Sequence, residues 1–498
     1  MAEATIRTAK APAAPTKTTG RFLPSTTGQR QFGNILLIAF SILLILAPLP
    51  LGANRMWSAS LVSVWLNLLL VVLLVGWMLQ PRLVDNPFTP TLRVTVGILA
   101  LVFGWIVIQS SWIVPTDWQH PLWQEMEKLL RNQGLIKDEV VRGAIVLDPS
   151  ATSFYTVRLL SYVASFWLAL LLTQDGRRAH LLLGVIIVTG LLYAAYGYYI
   201  QFTGSNKVLW FDKRSYVDNM TSTFFNRNSY AAYAGLGLLS ATAYVFQRWR
   251  RVWRESSQHF FWRDVLSALA GKEIYWLLLP AIFFAALVLS ASRAGFASCM
   301  AGMAVLIIGI AINKNMPLLR LFGTIVVLAA IGVGGLLIGG NMLIERLNAN
   351  MVSEDLDMRV GVYKLTWEAI KANPWFGYGL GNFDAAFHMF RDSSVVGWFQ
   401  EAHNEYLEMM MDLGIPAAGL WFLGMGLLAW RCAYGMVTRR KDGIFPVLAL
   451  AVLTQEGLHS ILDFSLQVPA VSVTFAAILG MGVAQSRSSR SGSERSSG

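Results

Sequence analysis

Residues 179–202 read AHLLLGVIIVTGLLYAAYGYYIQF, a run without Asp, Glu, Lys or Arg that is entered through Arg177 and Arg178. Coiled as a helix at about 1.5 Å per residue, such a run outreaches the ~30 Å of hydrocarbon in a bilayer. A soluble fold would need shorter and more amphipathic segments. Comparable runs recur near 34–52, 58–79, 93–115, 154–173, 227–246, 274–291, 294–312, 318–340, 416–436, 444–462 and 468–485. The fold class expected is all-α and polytopic, with about 12 transmembrane helices and a large loop between spans 9 and 10.

Composition agrees. Hydrophobic residues make up 55% of the 498 and charged residues 14%, where a soluble chain carries about 25% charge. The net charge of +11 does not point to nucleic acid, because the Lys and Arg sit mostly in short connections, where they set orientation. Cys299 and Cys432 both fall in apolar runs, which argues against a structural disulfide or a cysteine metal site.

The basic residues test the topology. Arg82 and Arg93; Arg177 and Arg178; Arg248, Arg250, Arg251, Arg254, Arg263 and Lys272; Lys314 and Arg320; Arg439, Arg440 and Lys441; and Arg487, Arg490 and Arg495 all fall on the side of the basic N-terminus. The positive-inside rule makes that side cytoplasmic, with both termini there. Residues 1–33 are expected to be a disordered basic tail, 34–485 the membrane domain, and 486–498 a second disordered tail. The run from Asn34 is too long, with too many spans behind it, for a cleaved signal peptide. The opposite side carries the long segments 116–153, 203–226 and 341–415. Within them 359–371 (RVGVYKLTWEAIK) and 403–413 (HNEYLEMMMDL) have helical apolar spacing, as helices on a membrane face do. No internal repeat is visible.

Four distant segments bring polar groups to that outer side. Arg293, in LSASRAGF, sits in a link too short to leave the interface, where a basic residue is costly unless it snorkels or binds an anion. Arg227 opens a span in STFFNRNSYAAY, where the helix dipole adds to its charge. Arg359 follows Glu354, Asp355 and Asp357, so a local salt bridge competes with a binding role. His403 lies among Glu401, Glu405 and Glu408, and a carboxylate can orient an imidazole as a general base. Asp463 and Gln467 occupy the link before the last span, and His459 and Asp463 share a helix face. The glycines of NPWFGYGLGNF (373–383) read as a tight turn after the 359–371 helix. No metal-ligand spacing and no phosphate-binding P-loop occurs.

The compound pattern resembles a known family. Arg359 with Trp367 and Glu368, then ANPWFGYGLGNF, then EAHNEYLEMMMDLGIPA, is similar to the signature region of the O-antigen ligase and O-antigen polymerase superfamily. STFFNRNSYAAYAGL resembles its Phe-x-Asn-x-Asn segment and SASRAG its short Ser-Arg motif. GLHSILDFSLQVPA (457–470) resembles a segment of exopolysaccharide-type members. The resemblance covers roughly 220–480; the N-terminal tail and 116–153 have no counterpart in it.

That resemblance implies a glycosyltransferase C-like membrane enzyme at the periplasmic face of the bacterial inner membrane. Its donor would be a polyprenyl-pyrophosphate-linked glycan, used without cofactor or metal and with inversion. Arg227 and Arg293 would hold the pyrophosphate, with Arg359 a third ligand, and His403 would be the base. Asn228, Asn404, Glu405 and Asp463 are candidates to contact the acceptor or support those groups. The acceptor would be a glycan or lipid A-core, and other polysaccharide assembly proteins would be partners. The 457–470 segment tilts the reading toward an exopolysaccharide or O-antigen polymerase, with a ligase as the alternative. A lipid-linked-sugar flippase or transporter fits less well, because it predicts charges at the bilayer midplane and internal repeats.

Overall fold

The computed structural model of the chain describes residues 27–80, 86–213, 215–249, 271–314 and 349–487. The expected span 318–340, residues 1–26 and 488–498 of the tails, and the basic residues at 82 and 250–263 lie outside these.

The helices are α1 (Thr27–Leu46), α2 (Met56–Leu79), α3 (Pro90–Ser110), α4 (Pro121–Asn132), α5 (Pro149–Leu172), α6 (Gly176–Thr203), α7 (Arg227–Arg248), α8 (Leu278–Leu289) and α9 (Arg293–Lys314). They continue with α10 (Ala349–Ala372), α11 (Phe383–Phe390), α12 (Glu405–Leu413), α13 (Ile415–Thr438), α14 (Ile444–His459) and α15 (Pro469–Ala484). Local chemistry sets many starts. Thr89 and Asp148 cap α3 and α5, each followed by a proline, which loses nothing at a helix's first turn. Asp175 and Asn226 cap α6 and α7 with their side-chain oxygens, satisfying N–H groups that have no partner in the helix.

Two boundaries differ from the sequence expectation. α1 begins at Thr27, so the end of the expected tail is helical; Arg178 donates to Asn34 Oδ1 (3.0 Å) and to the Arg30 carbonyl (3.1 Å), which ties this turn to α6. At the other terminus Ser486 is fully buried and Arg439 donates to the Arg487 carbonyl (3.0 Å). The outer segment 203–226 also holds two-residue antiparallel strands, β1 (Lys207–Val208) and β2 (Phe211–Asp212), which no hydropathy pattern announces. Segment 116–153 holds one amphipathic helix, α4, after a single 3-10 turn at Thr116–Trp118.

Among the described residues, α2, α3, α5, α6, α9 and α13 are long and apolar enough to cross a membrane; the apolar stretches Arg30–Leu46, Tyr275–Leu289, Ile444–His459 and Pro469–Ala484 are shorter. The described helices fit a polytopic membrane protein. α15 is the centre of the bundle, buried along its whole length and packed on α5, α14 and α7. α2, α3 and α13 bury only 28%, 28% and 22% of their apolar windows. They turn Leu, Val and Trp outward, among them Leu61, Leu68, Leu101 and Trp430, an apolar surface that lipid would cover.

The bundle has two unlike ends. One gathers Arg178, Arg439, Arg440 and Arg487, with Asn313 donating to the Met436 carbonyl (2.6 Å). The other gathers the starts of α2, α5, α7, α9 and α13 and the ends of α1, α3, α6, α8 and α14. Here Thr223 donates to the Pro48 carbonyl (2.7 Å), Gln109 to the Asp412 carbonyl (3.0 Å) and Arg158 to the Gln467 carbonyl (2.7 Å). The candidate site residues lie at this second end.

Candidate active site

Asp463 is the centre of the site. The chain leaves α14 in a continuing turn, with the Asp463 N–H donating to the His459 carbonyl (3.0 Å), and this places the Asp463 side chain in full burial. Its Oδ1 accepts the Phe464 N–H (2.9 Å), and its Oδ2 accepts a close hydrogen bond from Asn228 Nδ2. His403 Nδ1 stands 3.7 Å from Oδ1, and an Arg359 guanidinium nitrogen 4.0 Å from Oδ2. Burial alone would push the Asp463 carboxyl up, but the His403 imidazole beside it, with His459, holds it below the usual carboxylate range. It is therefore an anion at neutral pH.

His403 is held from several sides. Its backbone has a φ of +52°, the left-handed region that few residues other than glycine adopt. The Tyr363 hydroxyl, from α10, donates to the His403 carbonyl (2.8 Å) and fixes that conformation. The ring lies against Phe464, 4.9 Å between centroids at 70°. Nδ1 is the ring nitrogen turned toward the Asp463 carboxylate. α10 also supplies Arg359, which donates closely to the Leu462 carbonyl. Segment 359–371 thus lies within a longer helix that docks on the link carrying Asp463.

Asn404 and Glu405 act on position rather than on an open site. Asn404 Oδ1 caps α12 by accepting the N–H groups of Tyr406 (3.1 Å) and Leu407 (3.0 Å). The Glu405 carboxyl accepts from Ser460 Oγ and the Leu466 N–H, both at 2.8 Å. These bonds lock the start of α12, and so His403, onto the 460–466 link that carries Asp463. Burial outweighs the hydrogen bonds from Ser460 and Leu466 and pushes the Glu405 carboxyl up to about 8.

The starts of α7 and α9 meet the same centre. Asn228 donates to Asp463 and accepts from Ser292 Oγ (2.8 Å), and Arg293 follows Ser292 as the first residue of α9. Arg227 precedes Asn228, yet its guanidinium turns to Asn219 Oδ1 (3.3 Å) and lies 5.1 Å from the Tyr216 ring centroid. Lys213 donates to the carbonyl of the same Asn219 (3.0 Å); burial lowers its ammonium, Asp218 opposing. The structure thus brings Asn228, Arg359, His403 and Asp463 together, places Arg293 next in sequence to Ser292, which bonds Asn228, and turns the Arg227 side chain onto Asn219 and Tyr216.

Sequence reasoning misses Ser292, Tyr363, Lys213 and Arg158. For Arg158 the signal exists: a basic residue inside the apolar run 154–173, rare and functional by default. For Lys213 none exists, since a lysine in a polar loop is ordinary. The glycines of 373–383 do form a turn, with φ of +70°, +102° and +77° at Gly377, Gly379 and Gly381. Among the described residues no group of three or more His, Cys, Asp or Glu side chains is arranged to hold a metal ion.

Two comparisons bear on this geometry. Residues 278–422 match the family model described as O-antigen ligase. Over 128 residues the chain is 25% identical to the general O-oligosaccharyltransferase of Acinetobacter baylyi (strain ATCC 33305 / BD413 / ADP1), a match covering 26% of this chain and 22% of that protein. The family match takes in Arg293, Arg359, His403, Asn404 and Glu405; Arg227, Asn228 and Asp463 fall outside it. The superfamily resemblance read from the sequence is therefore shown, the stretch 278–422 being the part similar to the O-antigen ligase family model.

Proposed function

We propose that this chain is a membrane glycosyltransferase that moves a polyprenyl-pyrophosphate-linked glycan onto a sugar hydroxyl. It works at the periplasmic face of a bacterial inner membrane, with both termini in the cytoplasm. The observation that carries the reading is the pairing of Asp463 with His403, beside Arg359 and the arginine-bearing starts of α7 and α9, at the end opposite the basic one. That polarity is what the positive-inside rule requires of an outward-facing site.

The chemistry follows from these groups. His403 Nε2 accepts the proton of the acceptor hydroxyl, and buried Asp463 stabilises the imidazolium that forms. The hydroxyl oxygen forms a bond to the anomeric carbon as the bond from that carbon to the pyrophosphate oxygen breaks. Attack opposite the leaving group inverts the centre. Negative charge grows on the pyrophosphate, and Arg293 and Arg359, with Arg227 once its guanidinium swings from Asn219, are the cations assigned to it in a reaction proposed to use no metal or cofactor.

The likeness of 457–470 to exopolysaccharide-type segments supports a polymerase, which lengthens the glycan on its carrier. The O-antigen ligase match supports the second reading, transfer of the finished glycan to lipid A-core or protein. The deciding experiment is the length profile of lipid-linked and surface glycan in a strain lacking this protein, rescued by wild type or by His403→Ala. Single repeats stranded on the carrier mean polymerase; long chains on the carrier with none on a final acceptor mean ligase. Full rescue by His403→Ala removes the histidine from the mechanism, and an unchanged profile in the deletion strain rejects glycan transfer.

A further inference from the structure

A cavity of about 290 Å³, lined by neither Asp463 nor His403 but joined to the His403 loop through Glu408, is left unused by the chemistry above. It is walled by Arg55 at the start of α2, by Phe154, Tyr155 and Arg158 on α5, and by Glu401 and Glu408 around the His403 loop. Its volume sits near the lower end of the ~300–1,000 Å³ typical of small-molecule sites, room for a sugar ring.

The walls are built. Arg158 is buried, its guanidinium 4.4 Å from the Tyr155 ring centroid and bonded to the Gln467 carbonyl (2.7 Å). The Gln467 side chain donates to Glu408 Oε1 (2.6 Å), and Glu408 Oε2 accepts the N–H of Ala402, the residue before His403 (2.9 Å). The cavity wall and the seat of the imidazole are thus one hydrogen-bonded piece. Arg55 stands over Phe225, 5.2 Å to its centroid, near the start of α7.

The lining selects among ligands. Asp384, Glu401 and Glu408 line the same space as Arg55 and Arg158, so a pyrophosphate or a phosphate headgroup would meet three carboxyl groups there. A lipid tail would strand two guanidinium groups. A hydroxyl-rich ring suits this mixture: carboxyl oxygens accept from its hydroxyls, guanidinium groups donate to them, and the aromatic lining of Phe154 and Tyr155 suits its C–H groups.

We propose that this cavity is the acceptor subsite, which takes an uncharged sugar ring and presents one of its hydroxyls to His403. This rests on the glycan-transfer reading. The ring is either the non-reducing end of a glycan on its carrier or a core sugar of an outer-membrane glycolipid.

The test uses the full chain in nanodiscs and two probes. One is the oligosaccharide released by mild acid from the polyprenyl carrier of cells lacking the protein; the other is core oligosaccharide from the same cells. Binding is measured by calorimetry, and transfer from lipid-linked donor is measured separately, for wild type, Arg55→Ala and Phe154→Ala, both at the accessible rim. The expectation is that wild type binds one probe and that each variant weakens binding and raises acceptor KM about tenfold, while donor KM holds. The probe that binds distinguishes carrier-linked glycan from core. Wild-type affinity and acceptor KM in both variants, with transfer intact, overturns the subsite and leaves the transferase reading standing. Binding that depends on Arg55 and Phe154, with neither probe accepting a glycan from the donor, overturns the acceptor assignment together with the proposed function.

Discussion

Asp463 Oδ1 lies 3.7 Å from His403 Nδ1, with the Asp463 side chain wholly buried and a quarter (25%) of the His403 side chain exposed. In the proposed reaction a buried anion behind the imidazole would set which ring nitrogen faces substrate and support the cation that proton transfer creates. Asn228, Phe464 and Arg359 hold the carboxylate in turn, so the pair is set by groups from α7, α10 and the link after α14.

Asp463→Asn keeps the shape and removes the charge. We expect the rate of glycan transfer to fall about a hundredfold or more, in line with the loss when an orienting carboxylate is neutralised in an acid–base unit. Because the two residues act together, adding Asp463→Asn to His403→Ala should cost little further. Initial rates for both single variants and the double variant in proteoliposomes check this; fully multiplicative losses would mean that Asp463 acts independently of the imidazole.

The outline of this arrangement is legible in the sequence, and its wiring is not. Apolar runs report local hydropathy, which a helix satisfies without distant contacts, so helices stand at most of the expected spans. The arginines at span ends stand out for the same reason, since charge beside hydrocarbon is costly wherever it occurs. The bond from Asn228 to Asp463 joins residues 235 positions apart, and no local pattern encodes it. Arg227 shows the limit from the other side: its place at a helix start is correct, while its guanidinium direction depends on Asn219 and Tyr216 in a segment without hydropathy pattern. Asn404 and Glu405 look alike in sequence as polar neighbours of His403; only the fold shows one capping α12 and the other clasping the 460–466 link.

Gly381 is a test of close packing at the proposed acceptor subsite. Its φ is +77°, and a Cβ there would fall 2.3 Å from Tyr155 Cδ2, whereas Gly134, at +70°, has no heavy atom within 4 Å of such a Cβ. Both alanine variants carry the left-handed cost of about 1–2 kcal/mol. Only Gly381→Ala adds overlap with a ring on α5, a further ~1–3 kcal/mol. Thermal unfolding of the purified variants should therefore show a clearly larger fall in Tm for Gly381→Ala than for Gly134→Ala. Equal falls would show that Tyr155 yields without cost.

Glu405 gives the protein a pH dependence of definite sign. Burial raises its carboxyl from an ordinary 4.5 to about 8, so between those values the folded chain holds a proton that the unfolded chain has released. Stability changes with pH in proportion to protons bound unfolded minus protons bound folded, which is negative here. The contribution is full below about 4.5, declines as pH rises and is gone above about 8. Burial also raises Glu401, Glu408 and Asp412 in the same loop, Glu401 and Asp412 strongly, so their contributions slope the same way. Glu405→Gln places a neutral group of the same shape, able to accept the Leu466 N–H through its oxygen and to donate to Ser460 Oγ through its nitrogen. We expect the variant to fold, to match wild type most closely at acid pH, and to exceed it in Tm near pH 8, its Tm falling less steeply with pH without becoming level. Melting curves of detergent-solubilised protein across that range decide the matter: parallel slopes for the two proteins would mean that Glu405 is already ionised where it clasps Ser460 and Leu466.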